Sequence, residues 1–493
     1  MNLVERFPHP DKSAVAMVVQ DQETTYGQLV DRVARWRGAL IDHGLRPGAT
    51  VGLLAGNSDA FVVGYLAVLS AGLIAVPLNP QSPPAELVRE LEAVSCEAMI
   101  VGPFGVATWS QIDAASLGIK HVFHADDGVL DAGQATAIVP VERDAIACLL
   151  FTSGTAGSPK AAMLTHGNLW ASLVSMISAQ PHIRDEPQVA LAVIPLFHVF
   201  GLSVVINLSM FLGSKMVLAN YEAPARTAEL VRLHGVTQLA GPPALWRALL
   251  DEPGLVPADF VTLSRAISGA AKLDPSIALG LRDRLAIDLR EGYGLTETCA
   301  TVTSSIGTDA PLGSVGLIMP GVEARIVDED GDDVLVGDTG ELIVYGDMLS
   351  PGYWQDEEAT AQTRTADGWL KTGDLANVDD DGFISIVDRV KDLIIVSGFN
   401  VHPGEVESVL NHDPSVAEAG VIGIADPATG EAIVAYVVPA EGHVIDQAQL
   451  LNACAEQLAR YKVPRRIVSV SELPKTSVGK IRRRDLDRNI SDQ

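Results

Sequence analysis

Short apolar runs alternate with amphipathic segments of helical period as far as about residue 313. Such runs, bounded by glycine, proline and polar residues, predict buried strands, and the segments between them predict helices. A chain that alternates strand and helix in this way favours an α/β fold with mostly parallel sheets. The predicted strands are Val51–Leu54, Leu73–Val76, Ala98–Val101, Ala145–Phe151, Val189–Ile194, Lys215–Leu218, Thr237–Ala240 and Arg265–Ser268.

The pattern changes after Gly313, where short alternating strands and Asp-Gly turns appear. Residues 313–388 therefore predict a small β-barrel-like subdomain at the end of a large N-terminal domain, residues 1–388. The remaining residues, 389–493, predict a small α+β C-terminal domain with helices over 403–411 and 447–458. The polar segment Asp388–Asp392 stands between two predicted strands and is a candidate hinge.

Composition narrows the class of protein. The chain has 493 residues, of which 47% are hydrophobic and 20% charged, as expected for a soluble protein with a large core. It carries 35 basic and 62 acidic residues, a formal net charge of −27. This balance argues against nucleic acid and anionic membrane as partners. Any site for an anionic ligand must therefore supply its own local positive charge.

Neither the cysteines nor the apolar stretches indicate secretion or a membrane span. The four cysteines have no metal-ligand spacing, which favours reduced thiols and a cytoplasmic location. The N-terminus has no apolar signal-peptide region. Residues 60–78 are interpreted as a helix followed by a strand, and residues 199–212 as a core helix, because each is too short to cross about 30 Å of hydrocarbon.

The residues from Phe151 to Asn168 carry the most specific chemistry. Glycines allow a backbone to turn sharply and approach a ligand, while hydroxyls and a lysine can bind phosphate oxygens. We expect a strand, a phosphate-binding loop and then a helix capped by Thr165. The spacing is not that of a Walker A motif. The candidate phosphate ligands are Thr152, Ser153, Gly154, Thr155, Gly157 and Lys160.

This loop resembles the TSGTTG-x-PKG motif of the adenylate-forming superfamily, which includes acyl-CoA synthetases, aryl-CoA ligases, nonribosomal adenylation domains and firefly luciferase. Ala156 and Ala161 replace a threonine and a glycine of that motif, so one hydroxyl donor is missing. Four more segments match the superfamily in the same order, and the resemblance covers nearly the whole chain.

The resemblance implies roles for residues of the N-terminal domain. His198 would contact the substrate carboxylate and shape the acyl pocket, in a positioning role. Thr296 would contact the α-phosphate, and Glu297 would bind Mg²⁺. Gly294 would leave the acyl pocket open where acetate-using relatives carry a bulky aromatic residue. The remaining nucleotide contacts would come from Gly269, Ala270, Ala271, Gly292 and Tyr293.

The resemblance also assigns residues nearer the C-terminus. Asp374 would accept hydrogen bonds from the ribose hydroxyls, and Arg389 would contact ribose or phosphate. Lys391 aligns with the pivot of a mobile C-terminal domain, and Gly398 with the loop that lines the pantetheine tunnel. Lys480 would stabilise the charge that develops during adenylation. Asp388 departs from the family, which usually has glycine there.

The function implied is that of an acyl-CoA synthetase, a ligase that forms acyl-AMP from ATP and a carboxylic acid, releases pyrophosphate, and transfers the acyl group to coenzyme A. ATP, Mg²⁺ and CoA are the implied cofactors and co-substrates. The expected pocket wall is apolar (Val199, Phe200, Leu239, Leu295), which favours a medium- to long-chain fatty acid. An aryl or cinnamate-type acid, or transfer to a carrier protein, are the alternatives. A second copy of the chain, forming a homodimer, is a further candidate partner.

Overall fold

The computed structural model describes residues 1–8, 11–152, 159–396, 399–426, 429–476 and 479–487. The chain divides into two compact units. The first consists of Met1–Glu323 and Val344–Leu370, and the second of Ala324–Ile343 and Lys371–Gln493. The functional boundary that the sequence indicates after residue 388 stays a prediction.

Within the described ranges, strands and helices alternate in the first unit as the apolar pattern predicts. The strands are β1 (Val15–Val19), β2 (Gln22–Thr25), β3 (Thr50–Leu54), β4 (Ile74–Pro77), β5 (Ala98–Val101), β6 (His121–His124), β7 (Ile146–Thr152), β8 (Lys160–Thr165), β9 (Val189–Ala192), β10 (Lys215–Leu218), β11 (Gln238–Gly241), β12 (Arg265–Ser268), β13 (Leu289–Tyr293), β14 (Thr303–Ser304), β15 (Leu317–Ile318), β16 (Val322–Val327), β17 (Gly340–Gly346), β18 (Leu370–Val378), β19 (Ile384–Arg389), β20 (Ile394–Val396), β21 (Phe399–Val401), β22 (Val416–Asp426), β23 (Gly430–Pro439) and β24 (Arg466–Ser469). The α-helices are α1 (Tyr26–Asp42), α2 (Asp59–Ser70), α3 (Pro84–Ala93), α4 (Val106–Trp109), α5 (His166–Ala179), α6 (Leu208–Leu212), α7 (Pro224–His234), α8 (Pro243–Asp251), α9 (Pro275–Leu285), α10 (Glu357–Gln362), α11 (Pro403–Asn411) and α12 (Gln447–Gln457).

Two large sheets form the first unit. One has six strands in the order β6-β5-β3-β4-β7-β8, and the other has nine in the order β15-β14-β13-β12-β11-β9-β10-β1-β2. Most neighbours pair in parallel, and strands β3, β4 and β5 are buried along their whole length. Continuous apolar strands of this kind are expected where helices cover both faces of a parallel sheet. The predicted α/β fold class is confirmed.

The apolar stretch over residues 60–78 forms α2 and β4, as predicted. Every residue of α2 from Ala60 to Ser70 is buried, and the helix is followed by Gly72, whose φ of 72° suits glycine. Among the described residues, we find no helix with the length and apolar character that spanning a bilayer requires. The second apolar stretch also folds as a core helix, with a π-helical segment at Gly201–Asn207 that continues into α6.

One predicted element is wrong. The sequence interpretation placed a helix directly after the phosphate loop, whereas the structure places strand β8 between them. Strand β8 pairs antiparallel with β7, with Thr152 opposite Lys160 and Leu149 opposite Met163. This pairing satisfies backbone groups that would otherwise be unpaired in a buried segment. Thr165 is the helix cap as predicted, because its side chain accepts a hydrogen bond from the Asn168 N–H.

The second unit contains a four-stranded sheet, β16 to β19 in chain order, and a five-stranded sheet ordered β21-β20-β23-β22, with β24 beside β23. Helices α11 and α12 pack on the latter sheet around an apolar core that includes Val406, Leu410, Ile433 and Leu450. The Asp388 carboxylate accepts a hydrogen bond of 2.8 Å from the Gly404 N–H in the first turn of α11. An anion is favourable at a helix N-terminus, which gives the unusual Asp388 a structural reason.

Asn57 joins the two large sheets of the first unit. Its side-chain nitrogen lies 3.0, 2.9 and 2.9 Å from the carbonyl oxygens of Ala192, Ile194 and Ala219. Its side-chain oxygen accepts a hydrogen bond of 2.9 Å from the Leu196 N–H. Asn57 is 5% exposed, so water cannot replace these partners easily. The residue therefore holds the loop that leads from β9 to His198.

We expect Asn57→Ala to lower the free energy of unfolding by about 2–4 kcal/mol, because it leaves several buried backbone groups unpaired. Ser58→Ala is the matched control, since Ser58 only caps α2, and its loss is expected to cost about 1 kcal/mol. Urea unfolding followed by fluorescence measures both values. Equal losses in the two variants would contradict the role assigned to Asn57.

Candidate active site

A cavity of about 70 Å³ lies beside the carboxyl ends of β12 and β13 in the first unit. Parallel neighbours end at the same edge of a sheet, and ligands of α/β proteins commonly bind there. Five residues that the sequence singled out line this cavity: His198, Gly269, Ala270, Gly292 and Gly294. The other lining residues are Met176, Gln180, Val199, Phe200, Val204, Arg265, Ile267, Ser268, Ala300, Thr301, Thr303, Ser304, Ile306 and Met319.

The cavity wall differs from the expected one at Leu239. Val199 and Phe200 line the cavity as predicted, but Leu239 is fully buried in the hydrophobic core on the other side of its strand. Polar residues stand among the apolar ones, and Gln180, Arg265 and Thr301 are examples. The cavity is therefore less uniformly apolar than the sequence suggested.

Glycine at position 269 allows a close approach between the backbone and the cavity. Its N–H donates to the Gly241 carbonyl at 3.2 Å, and an added Cβ would lie 3.2 Å from the Phe200 ring. Ala270 follows with a φ of 68°, a left-handed conformation that is strained for alanine. Ala270 is exposed and Ala271 is half-buried. This strained turn presents backbone rather than bulky side chains to the cavity edge.

His198 is held as a neutral imidazole. Burial lowers the pKa of His198 to about 4. Its Nδ1 accepts a hydrogen bond of 3.2 Å from the Phe200 N–H, so in the neutral ring the proton is carried by Nε2. A neutral histidine with one fixed donor is suited to positioning a substrate group by hydrogen bonding. It is poorly suited to proton transfer near neutral pH.

Lys160 and Glu297 belong to one cluster. The Lys160 Nζ lies 5.7 Å from the centroid of the Tyr353 ring, a cation–π distance. The Tyr353 hydroxyl donates to the Glu297 carboxylate. Residues around Tyr353 pair with β8, since the Trp354 N–H donates to the Ala161 carbonyl at 2.8 Å. The pairing of these backbones thus brings a lysine and a carboxylate to the two sides of one aromatic ring.

Tyr353 and Arg364 were missed in the sequence. Arg364 donates to the Ser350 carbonyl, and the Glu297 charge opposes the lowering of its pKa that burial causes. The Ser350 N–H in turn donates to the Glu297 carbonyl at 2.8 Å. The only sequence signal was the local Gly-Tyr-Trp, which does not show that a tyrosine 56 residues away contacts Glu297. Thr296 begins the short 3₁₀ turn that carries Glu297.

The second unit brings together three other predicted residues. Asp374 and Arg389 face each other across β18 and β19, and the Arg389 Nε lies 2.9 Å from an Asp374 carboxylate oxygen. Burial lowers the pKa of Lys480 to about 8, with a further lowering by the Arg389 charge that Asp374 and Asp392 oppose. Lys480 follows Gly479, whose φ of 79° requires a residue without a side chain.

Arg483 anchors the segment that carries Lys480. Its guanidinium lies 2.8 Å from an Asp392 oxygen and 2.7 Å from a Glu407 oxygen. This pairing of a mostly buried cation with two carboxylates raises the pKa of Arg483. The arginine run after Lys480, which alone would suggest a solvated basic tail, therefore has a structural member.

Several predicted residues lie outside the described part of the chain, or have side chains that the description omits. Lys391 lies in a 3₁₀ turn at Val390–Asp392, and nothing is said of its side chain. The Thr152 side chain, at the end of β7, lies 3.5 Å from the Lys160 carbonyl. The residues outside the described ranges are Ser153, Gly154, Thr155, Gly157 and Gly398.

Comparison with known proteins gives consistent matches over the whole chain. The sequence models of AMP-binding enzymes and of the AMP-binding enzyme C-terminal domain match residues 4–354 and 405–480. A feruloyl-CoA synthase of an Amycolatopsis species is 35% identical over 94% of both chains. A long-chain-fatty-acid–CoA ligase of Salmonella typhimurium is 32% identical over 98% of this chain and 94% of its own. The ATP-bound crystal structure of MatB from Rhodopseudomonas palustris superimposes with a TM-score of 0.91 and 31% identity, over 98% of this chain and 97% of that chain.

The fold and these matches define an adenylate-forming enzyme. The chain belongs to the AMP-binding enzyme family and, within it, to the acyl-CoA synthetases, which confirms the resemblance found in the sequence. It is an AMP-forming CoA ligase.

Gly294 is constrained by backbone as well as by the cavity it lines. A Cβ added there would lie 1.8 Å from the Ala300 carbonyl oxygen. We therefore expect Gly294→Ala to lower the free energy of unfolding by about 1–3 kcal/mol, as overpacking of a rigid site does. Gly292→Ala is the matched control, since its Cβ would meet only the Thr303 oxygen, at 3.4 Å. Chemical denaturation of both variants decides the point, and an unchanged Gly294→Ala midpoint would contradict the packing argument.

Proposed function

We propose that the enzyme activates a compact carboxylic acid of the aryl type as acyl-AMP and transfers the acyl group to CoA. The size of the cavity carries this proposal. At about 10–15 Å³ for each water-sized group, 70 Å³ holds about five to seven such groups, the scale of one aromatic ring. The similarity to a feruloyl-CoA synthase supports the same class of acid.

A medium- to long-chain fatty acid is the second candidate. The 32% identity to a long-chain-fatty-acid–CoA ligase and the apolar Val199 and Phe200 side chains of the wall favour it. A long chain would need a larger cavity than the one observed. Transfer to a carrier protein instead of CoA is the alternative for the second step.

The proposed reaction has two half-reactions. A carboxylate oxygen of the acid attacks the α-phosphorus of ATP, and the bond to pyrophosphate breaks. The CoA thiol sulfur then attacks the acyl carbonyl carbon, and AMP leaves. Both steps depend mainly on positioning and on electrostatic stabilisation of oxygens that carry negative charge.

In the first unit, we assign the phosphates of ATP to Lys160 and Thr296, together with the loop from Thr152 to Gly157. His198, as a neutral donor, would orient the acid. The Glu297 carboxylate has one oxygen bonded to Tyr353, and the other is a hard ligand of the kind that Mg²⁺ prefers. A bound Mg²⁺ would neutralise part of the triphosphate charge.

In the second unit, we assign the ribose to Asp374 and Arg389, and the reacting carboxylate and α-phosphate to Lys480. We further propose that Lys391 serves as the hinge of a mobile domain and that the loop with Gly398 borders the thiol channel. The support for these roles is the match to the family motifs. The closeness of Asp374, Arg389 and Lys480 in charge and position is consistent with it.

Acid-dependent ATP–pyrophosphate exchange tests the proposal, with cinnamates, benzoates and saturated fatty acids of increasing length as substrates. We expect the highest kcat/KM with aryl acids and a decline with fatty acids longer than the cavity accepts. A maximum at long-chain fatty acids would establish the second candidate instead.

Lys480→Ala should separate the half-reactions. We expect acyl-AMP formation to fall by about 10²–10³-fold, because one preorganised cation is lost, while supplied acyl-AMP still reacts with CoA. Rapid-quench measurement of pyrophosphate and of acyl-CoA gives the two rates. Lys462→Ala, which removes a lysine paired with Glu405 in the same unit, is the control. Equal loss of both half-reactions in Lys480→Ala would refute this division of roles.

The adenylation step should lose activity as the pH rises through about 8. The lowered pKa of Lys480 means that the free enzyme loses this cation near that pH, whereas a solvated lysine keeps it. The kcat/KM of pyrophosphate exchange reports free-enzyme groups, so its alkaline limb should lie near pH 8. Lys480→Arg should shift that limb upward, because arginine stays protonated. An unshifted limb would assign it to another group.

A further inference from the structure

Arg265 is the charged residue of the cavity wall that the reaction outlined above does not use. It is the first residue of β12, and its side chain shares one face of that strand with Ile267. Both residues line the cavity, whereas Ala266 between them packs into the hydrophobic core on the other face. The strand alternation therefore directs the guanidinium toward the cavity.

The Arg265 guanidinium lacks partners among the described residues. Its Nε and Nη1 atoms are buried and make no hydrogen bond there. The described residues that line the cavity include no aspartate or glutamate. Burial is the one cause that lowers the pKa of Arg265, to about 10, so the group keeps its charge near neutral pH. A buried, unpaired cation destabilises a fold, and a partner supplied by a ligand would remove that penalty.

Two smaller polar groups in the same wall are also unsatisfied. The Ser268 and Thr301 hydroxyls are buried and have no hydrogen-bond partner in the described structure. Both residues line the cavity. Buried polar atoms are nearly always paired in native proteins, so three unpaired side chains around one cavity indicate a ligand with acceptor atoms.

Arg265 lies at the far end of the cavity from the nucleotide side. Four strand residues separate it from Gly269, which corresponds to about 13 Å between their Cα atoms. The arginine side chain covers part of this distance. The remainder matches a spacer of about one aromatic ring between the reacting carboxyl group and the guanidinium.

We propose that Arg265 is a specificity residue that binds a carboxylate at the end of the substrate acid remote from the reacting carboxyl group. This inference rests on the proposed function, since it takes the cavity as the acyl pocket. The preferred substrates are diacids with a compact, ring-sized spacer. A carboxylate pairs with a guanidinium through two parallel hydrogen bonds, which gives orientation as well as affinity.

The test compares two acids of similar shape, 4-carboxycinnamate and 4-methylcinnamate, in ATP–pyrophosphate exchange with the full-length enzyme. We expect the wild type to prefer the carboxy acid by about 10²-fold or more, because a site built for a polar group strongly rejects an analogue without it. In Arg265→Met the preference should reverse, with a loss of about 10²-fold on the carboxy acid and no loss on the methyl acid. Arg265→Lys should retain part of the preference.

Thermal unfolding distinguishes a binding role from a structural one. Removing an unpaired buried charge should raise the unfolding temperature of Arg265→Met by about 2 °C or more. The control, Arg282→Met, changes an arginine whose side chain is 61% exposed on α9, and it should alter neither the unfolding temperature nor the preference. A lower unfolding temperature in Arg265→Met with equal loss on both acids would make Arg265 structural and overturn the inference.

The failures of the two proposals are distinguishable. If the wild type uses methyl and unsubstituted acids as well as the carboxy acid, the inference about Arg265 is wrong while the proposed aryl-acid ligase stands. If only long-chain fatty acids support exchange, the proposed substrate class fails and the inference fails with it.

Discussion

An acidic chain that must bind anions depends on a few cations placed where water is scarce. ATP, CoA and a carboxylate are all negatively charged, and the chain has a formal net charge of −27. Lys160, Arg265, Arg389 and Lys480 are the cations at or near the residues assigned to these ligands. Burial makes each charge more effective than a surface charge, because a low dielectric strengthens its interactions. Their desolvation is also a cost that bound substrates offset.

The scaffold places these groups through backbone pairing more than through side-chain packing. Strand β8 and the segment around Tyr353 pair and so align Lys160 with Glu297. Strands β18 and β19 place Asp374 opposite Arg389. The cavity wall is formed by the ends of β12 and β13, and Asn57 fixes the loop before His198 from the neighbouring sheet. Groups held in this way need little rearrangement when a substrate binds.

The local sequence was sufficient for most elements and for the family. The strand Arg265–Ser268 and the helix Pro403–Asn411 were predicted with the bounds that the structure shows. The hairpin strand β8 was missed because residues 160–165 are too short and too mixed to show a period of two. Tyr353 and Arg265 were missed for another reason. Their roles depend on neighbours far apart in the chain, and a single sequence does not record which buried groups lack partners.

Formation of an acyl adenylate is the central claim, and the fate of the carboxylate oxygens tests it most directly. An acid labelled with oxygen-18 in its carboxyl group is incubated with ATP, CoA and the enzyme, and the products are analysed by mass spectrometry. The account predicts AMP that carries one labelled oxygen, together with unlabelled pyrophosphate and the acyl-CoA. Label in inorganic phosphate, accompanied by ADP, would show an acyl phosphate intermediate and contradict the account.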